Sequence, residues 1–489
     1  MRILIVGYLP IPRNITGGTK VIDLIVDGLR RRGHYVEVFS AFKHNEDKFI
    51  IKDTFYKGVV HRFLLRDKGI YYYDLFNPMN EVYEEKTEKI FFEFLDKNPN
   101  WDVIHFFHMM PLSIIEKVKD KGYRVFITLN DFQYMFGGSI FLFSKKRYLY
   151  SHNSHWSITD FSPESLIEEL AILYDNYQLM EKKNSSNLIK AYNSRLNYGK
   201  YLLGSVVDGI IGINSFREVY NFLFGVEKDR FLPISIYYSH GKPIKLKRKN
   251  REKIIFGNTD YWAIHKGISF LINIIDNLRE YEGKFEFRFF GKVDVDNEFY
   301  NEIMDRINSD EFLSSHIKLI TPEGYSSSDL DYIASEIDVV VNINTNLYMV
   351  GSTMTELLSR GVIAIMSRTG YQYKIIESIL KGKDYNYFLE SYKKEYEVEE
   401  FNFSKVLYEE MRGLFEDGMD KKPIIKDYFE MFLVSPGNFT QYLEKIKFLI
   451  ENQNKIDEYR ELSLEFAEKA YSSIIKEDFI TQLEGYYKG

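Results

Sequence analysis

Short apolar runs alternate with amphipathic stretches along most of the chain, and the alternation starts twice. Residues 2–7 (Arg-Ile-Leu-Ile-Val-Gly) form a continuous apolar run closed by glycine, the mark of a parallel strand buried on both faces. A loop carrying Pro10, Pro12, Gly17 and Gly18 follows. Residues 19–32 then set Val21, Ile22, Leu24, Ile25, Val26 and Leu29 on one helical face, and Gly33 ends that helix. Residues 34–39 supply the next strand. This β-loop-α-β unit predicts a doubly wound sheet. Residues 103–107, 111–121 and 125–129 repeat it as strand, helix and strand. A further strand falls at 209–213 with a helix from Ser215, and residues 140–200 read as helical, polar and aromatic.

The rhythm restarts near Pro233. Residues 242–253 are basic and read as a linker. Strands are expected at 254–256, 285–290, 317–320, 338–342 and 362–366, with helices at 267–278, 330–336 and around Glu356. Residues 374–432, rich in Lys, Glu and Tyr, break the pattern as a helical insertion, and the tail is helical to its end. The expected fold class is α/β, with two doubly wound Rossmann-like domains. The first covers residues 1–235 and the second 236–470, with a helix over 471–489 returning to the first.

Composition narrows the classes. The chain of 489 residues has no cysteine, which removes disulfides and thiolate metal sites. Net charge is -7, with a slight basic excess over residues 1–240 and the acidic excess beyond them. A general nucleic-acid binder would be basic, so no nucleic-acid partner is expected. No apolar run reaches the roughly 18 residues of a membrane span, and residues 1–7 do not read as a signal peptide. A cytoplasmic protein is expected. Aromatic residues make up 16%, which reads as ring-filled cores.

Candidate chemistry sits where strands end. Gly17-Gly18-Thr19 opens the first helix, where glycines let backbone N–H groups approach a phosphate. Gly257-Asn258 closes a strand, and Lys266-Gly267 precedes the next helix; a lysine there opposes the helix dipole, which suggests that it serves a ligand anion. The run from Gly351 through Ser352, Thr353 and Glu356 combines a polar turn with a carboxylate suited to sugar hydroxyls. The same Thr353-x-x-Glu356 also reads as a capping box, which needs no ligand. Pro322-Glu323-Gly324-Tyr325 places a glycine and an aromatic at a strand end, where they would pack a base or form a turn. Asn130-Asp131, with Gly137-Gly138 behind, is a strand-end polar pair or a helix cap. Asp294-Val-Asp296 reads as a surface loop.

Taken together and in this order, these segments resemble the retaining, nucleotide-sugar-dependent glycosyltransferases of the GT-B fold, family 4. The likeness spans nearly the whole chain. The family's Gly-Gly loop is matched by Gly17-Gly18, its phosphate lysine by Lys266 and its ribose-binding glutamate by Glu356. Ser367-x-x-Gly370 and the Val434-to-Gly437 turn also look like the family's. Three positions depart: Asn258 stands for a phosphate-binding arginine, Tyr348 for the first of two glutamates, and Asn130 for the histidine of a His-Asp pair.

The resemblance implies two domains facing a cleft, with the first handling the acceptor and the second the nucleotide sugar. The donor, UDP-, GDP- or dTDP-linked, would meet Gly17, Gly18, Asn258, Lys266, Gly324, Tyr325, Gly351, Ser352, Thr353 and Glu356. Lys266, Asn130, Asp131 and Tyr348 would serve turnover, without metal or other cofactor. The acceptor would be a glycan, a glycolipid or a protein-linked sugar in polysaccharide or glycoconjugate biosynthesis. Arg30-Arg31-Arg32 and Lys145-Lys146-Arg147 would support peripheral contact with the inner face of a membrane. The departures also fit a catalytically weak GT-B subunit that binds sugar nucleotide or glycan and supports another transferase. An epimerase or phosphorylase on the same fold is a third reading.

Overall fold

The structure is a computed structural model. It describes residues 1–7, 17–43, 50–56, 58–66, 82–107, 110–129, 133–136, 185–212, 220–221, 224–232, 243–249, 251–260, 262, 267–293, 298–321, 323–325, 327–343, 352–367, 433–434, 439–470 and 473–489. The chain forms two compact units. The first contains Met1–Phe141, Asp160–Tyr237 and Ile474–Gly489, and the described residues of the second fall within Tyr238–Ser473.

The first unit is built on a seven-stranded sheet. Its strands are β1 (Arg2–Val6), β2 (Tyr35–Lys43), β3 (Ile50–Tyr56), β4 (Val59–Arg66), β5 (Val103–Phe106), β6 (Arg124–Leu129) and β7 (Gly209–Gly212), in the order β3-β4-β2-β1-β5-β6-β7. All neighbours are parallel except β3 against β4. The helices are α1 (Gly17–Arg31), α2 (Glu85–Lys97), α3 (Ser113–Asp120), the short α4 (Gln133–Phe136) and α5 (Ser185–Tyr201). In β1, Ile3, Leu4, Ile5 and Val6 are fully buried, as their unbroken apolar run demands. Each contributes roughly 1.5–3 kcal/mol of burial. The β3–β4 hairpin and α2 lie in a stretch to which the sequence pattern assigns no element.

The second unit carries a six-stranded, wholly parallel sheet. Its strands are β8 (Ile254–Asn258), β9 (Phe285–Phe289), β10 (Ile317–Leu319), β11 (Val339–Asn342), β12 (Ile363–Ser367) and β13 (Leu433–Val434). Their order is β10-β9-β8-β11-β12-β13. The helices are α6 (Ile268–Asp276), α7 (Glu298–Ser309), α8 (Glu311–His316), α9 (Leu330–Glu336), α10 (Ser352–Leu358), α11 (Phe439–Glu451) and α12 (Ile456–Ala470). The chain leaves β8 for β9 and β10 on one side, then returns to β11 on the other. That reversal makes the β8–β11 boundary the topological switch point, where α/β sheets hold ligands at their carboxyl ends.

The basic stretch expected as a linker is instead strapped onto the second unit. The Ile244 N–H donates to Ser359 O over 2.7 Å, and Arg248 Nε donates to the buried Asp338 carboxylate over 2.7 Å. Arg251 donates to Glu336 O and Ser335 O, and Lys249 pairs with the Glu336 side chain. Its positive charges answer buried carboxylates beside β11, which a composition reading does not reveal.

The last helix, α13 (Ser473–Lys488), packs on the first unit. Its Tyr487 hydroxyl bonds His105 Nδ1 of β5, while His105 Nε2 lies 2.8 Å from Thr128 Oγ1. Arg124 Nη1 donates to Tyr487 O over 2.6 Å. Complete burial pulls the His105 pKa down to about 3, so the ring stays neutral. Glu484 accepts from Lys488 and Arg32, bonds that hold its carboxyl down at about 2. Arg31 pairs with Asp27. Two of the three arginines expected to meet a membrane are therefore committed to carboxylates.

Candidate functional site

The carboxyl ends of β8, β10 and β11 bring together side chains from five separate segments of the second unit. Asn258, the last residue of β8, is 1% exposed. Its Nδ2 donates to Val341 O over 2.9 Å, and its Oδ1 accepts the Asp260 N–H over 3.1 Å. The first bond ties β8 to β11 across the switch point, and the second shapes the turn that leaves β8. Asn258 thus acts first as a strand-end brace. That work explains a neutral, planar side chain here, for which an arginine has neither the size nor the acceptor.

The turn so formed aims Asp260 at β11. Asn342 Nδ2 donates to Asp260 Oδ2 over 2.6 Å, and Asn342 O accepts from the buried Tyr442 of α11 over 2.9 Å. Gly267, which precedes α6, comes to the same place. Its φ is +67°, and a Cβ there would lie 2.7 Å from Ile343 Cγ2. Only glycine fits both the left-handed backbone and the contact. The start of α6 is thereby packed beside the residue that follows β11.

Tyr325 joins the remaining segments. Its hydroxyl lies 2.9 Å from Thr353 Oγ1 on α10 and donates to Thr259 O over 3.3 Å. Gly324, at φ +95°, provides the backbone turn that sends Tyr325 there. Burial pushes the Tyr325 phenol up to about 12, and the Asp260 and Glu356 carboxylates add to the rise. It therefore stays protonated across the physiological range. With its hydroxyl used inside the scaffold, the partly exposed ring is what Tyr325 can offer a ligand.

Helix α10 begins at Ser352, so Thr353 is already its second residue. The capping-box reading, with Thr353 as the cap and Glu356 three positions on, does not describe this helix. Thr353 turns its hydroxyl to Tyr325 instead, and Glu356 is buried at 7% exposure. Its backbone oxygen accepts from Ser359 Oγ and Arg360 Nη1 as the helix closes.

The other expected residues fall elsewhere. Gly17 and Gly18 are the first two residues of α1, the helix after β1 in the first unit. Lys266, Tyr348, Gly351, Asn130 and Asp131 lie outside the described residues, as do Asp294, Asp296, Lys145 to Arg147 and the insertion at 374–432. Only the backbone of Ser352 is described. Asp260, Asn342 and Tyr442 join the site without belonging to any of the motifs above. Asn342 carries the signal that would have found it, a polar residue closing an apolar strand run.

Among the described residues, no group of three or more His, Asp or Glu side chains is placed to hold a metal ion. No described helix is long and apolar enough to cross a membrane.

No protein-family model matches the sequence, and no curated protein matches it. Solved structures do match, over both units. A sucrose-phosphate synthase from Thermosynechococcus elongatus has a TM-score of 0.61 at 12% identity, with 100% of this chain and 98% of that chain covered. The catalytic domain of starch synthase IV from Arabidopsis thaliana, bound to ADP and acarbose, has a TM-score of 0.57 at 12% identity, covering 99% and 98%. Anabaena HepE in complex with UDP and glucose has a TM-score of 0.55 at 12% identity, covering 99% of each chain. At this identity the likeness defines the fold: the chain has the two α/β units of the GT-B fold, the doubly wound pair expected from its sequence pattern and the fold its resemblance implied.

Proposed function

We propose that the chain is a nucleotide-sugar-dependent glycosyltransferase. It would move a sugar with retention of configuration onto a glycan, lipid-linked or protein-linked acceptor, in the manner of the family 4 enzymes its motifs resemble. One observation carries the reading. The Tyr325–Thr353–Thr259 contacts and the Asn258–Asp260–Asn342 chain gather the β8, β10 and β11 loops, with buried Glu356, at the switch point of the second unit. Structures with this fold have been solved with UDP, UDP-glucose and ADP bound, which supports a nucleotide-sugar donor.

In this reading Glu356 accepts the ribose hydroxyls, the Tyr325 ring packs near the base, and Lys266 stabilises the leaving diphosphate. Tyr348 meets the donor sugar or phosphate, with Asn130 and Asp131 supporting turnover. The leaving phosphate accepts the acceptor's proton, so the protein's work is fixed geometry and charge stabilisation. No metal takes part, and a chelator leaves the rate unchanged. The brace role of Asn258 puts a neutral group where the family pattern has a cation, so the diphosphate is clamped more weakly.

Turnover of sugar nucleotides by the purified protein is the test. Lys266→Ala lowers the rate at least about tenfold, ~1.4 kcal/mol of barrier. If the wild type binds donor but neither hydrolyses nor transfers it with any acceptor offered, the non-catalytic partner subunit is the better account.

A further inference from the structure

Three tyrosines and a carboxylate form a surface cluster on the first unit that the proposed donor site does not use. Tyr83, just before α2, is 56% exposed, and Tyr201, the last residue of α5, is 45% exposed. Tyr198, one turn earlier on α5, lies between them. Its ring centroid is 5.9 Å from that of Tyr83 and 6.1 Å from that of Tyr201, with the planes inclined at 41° and 42°. Glu116 of α3 accepts from both α5 phenols, 2.7 Å from Tyr198 to Oε2 and 2.9 Å from Tyr201 to Oε1.

This arrangement has the features of a binding surface. Two exposed rings joined through the partly buried Tyr198 make a continuous aromatic surface, the kind of feature that marks contact sites. The shared carboxylate fixes the orientation of two of the rings, so little rotamer freedom is lost when a ligand settles on them. Burial and the Glu116 bonds raise the Tyr198 pKa, and the same bonds raise that of Tyr201, so both phenols remain donors. Glu116 has two of its roughly four acceptor positions filled, which leaves room for ligand hydroxyls.

The chemistry of the patch selects among ligands. The lysines on and just after α3 are each committed: Lys117 to Glu88, Lys119 to Asp208 and Lys121 to Asp96. With Glu116 at its centre and Asp120 acting on Tyr201, the patch disfavours phosphates and anionic lipid. A methylated ammonium wants rings closed around it as a box. Here the two outer rings each pack on Tyr198 and not, among the described ring contacts, on each other, so the three form a row rather than a box. An open row of phenols beside a carboxylate suits a ligand with flat C–H faces and O–H donors on its rim.

We propose that Tyr83, Tyr198, Tyr201 and Glu116 form a platform for a neutral carbohydrate chain, separate from the nucleotide-sugar site. Sugar C–H faces lie on the rings, and sugar hydroxyls donate to Glu116. The platform belongs to the first unit and is assayed without nucleotide, so it stands or falls independently of the proposed donor.

The test is affinity electrophoresis of the full chain through native gels cast with dextran, a mannan, a xylan or a galactan. The wild type is retarded by at least one of these polymers. Tyr83→Ala combined with Tyr201→Ala weakens that binding at least about tenfold while melting as a folded protein, and Tyr83→Phe, which keeps the ring, binds as the wild type does. Failure of all four polymers to retard the wild type overturns the proposal. So does equal retardation of the double variant. Tyrosine-dependent quenching by tetramethylammonium, in the absence of polysaccharide binding, would also overturn it by making the cluster a cation site.

Discussion

The Tyr325 hydroxyl lies 2.9 Å from the Thr353 hydroxyl, joining the loop after β10 to the first turn of α10. The same oxygen reaches Thr259 O after β8. One phenol therefore holds three strand-end segments in register, and Tyr325 as a residue stays partly exposed between them.

Removing that hydroxyl separates scaffold from ligand contact. Tyr325→Phe keeps the ring and loses both bonds, so the second unit loses about 1–2 kcal/mol of stability in urea melts. Donor affinity changes little beyond that loosening. Tyr325→Ala removes the ring as well and weakens donor binding by at least about tenfold. A Tyr325→Phe variant as stable as wild type would show that the three segments do not depend on this hydroxyl.

Asn258 gives a sharper contrast, because family pattern and structure point in opposite directions. By the pattern alone, Asn258→Arg restores a phosphate-binding cation and improves the enzyme. By the structure, the side chain is 1% exposed and bonded at both ends, so arginine has no room and leaves Val341 O and the Asp260 N–H unpaired. The unpaired buried Val341 O alone costs roughly 1–3 kcal/mol. Both Asn258→Arg and Asn258→Ala should melt well below wild type, and a gain of stability with donor affinity in Asn258→Arg would refute the brace.

The His105–Tyr487 contact predicts acid sensitivity in the docking of α13. The folded His105 pKa is about 3, depressed by burial from 6.5. Between those values the unfolded chain binds a proton that the folded chain does not, so stability is complete above pH 6.5 and is lost as pH falls towards 3. One such group contributes a loss of about 2 kcal/mol between pH 7 and pH 5. His105→Gln cannot titrate, so its melting temperature falls less over that interval than the wild type's. Parallel pH profiles for the two proteins would contradict the assignment.

The fold was legible in the sequence because parallel strands buried on both faces leave continuous apolar runs, as in Ile3 to Val6 and Val339 to Val341. The β3–β4 hairpin was not, because residues 50–66 mix Lys52, Asp53, His61 and Arg62 into its strands. Arg62 answers Glu37 on β2 and Asp53 across the hairpin, a pairing known only once the strands are adjacent. At the site, Glu356, Gly324 and Tyr325 stood out by residue type beside strand ends. The division of labour did not. That Asn258 braces, that Thr353 serves Tyr325 rather than capping, and that Asp260 is held by Asn342 are relations between segments roughly 30 to 80 positions apart. The basic stretch before β8 misled for the same reason, since its partners Glu336 and Asp338 lie far along the chain.

The most direct test of the account is calorimetric titration of wild type and Glu356→Gln with UDP-, GDP- and dTDP-sugars, paired with melting curves. The account predicts that one nucleotide class binds the wild type and raises its stability by about 2.7 kcal/mol at a hundred times its Kd. Glu356→Gln keeps the fold and loses roughly 1.5–3 kcal/mol of that affinity, the value of a hydrogen bond to a charged group. Absence of binding by every nucleotide sugar, or affinity unchanged in Glu356→Gln, would contradict a donor site at the β8–β11 switch point.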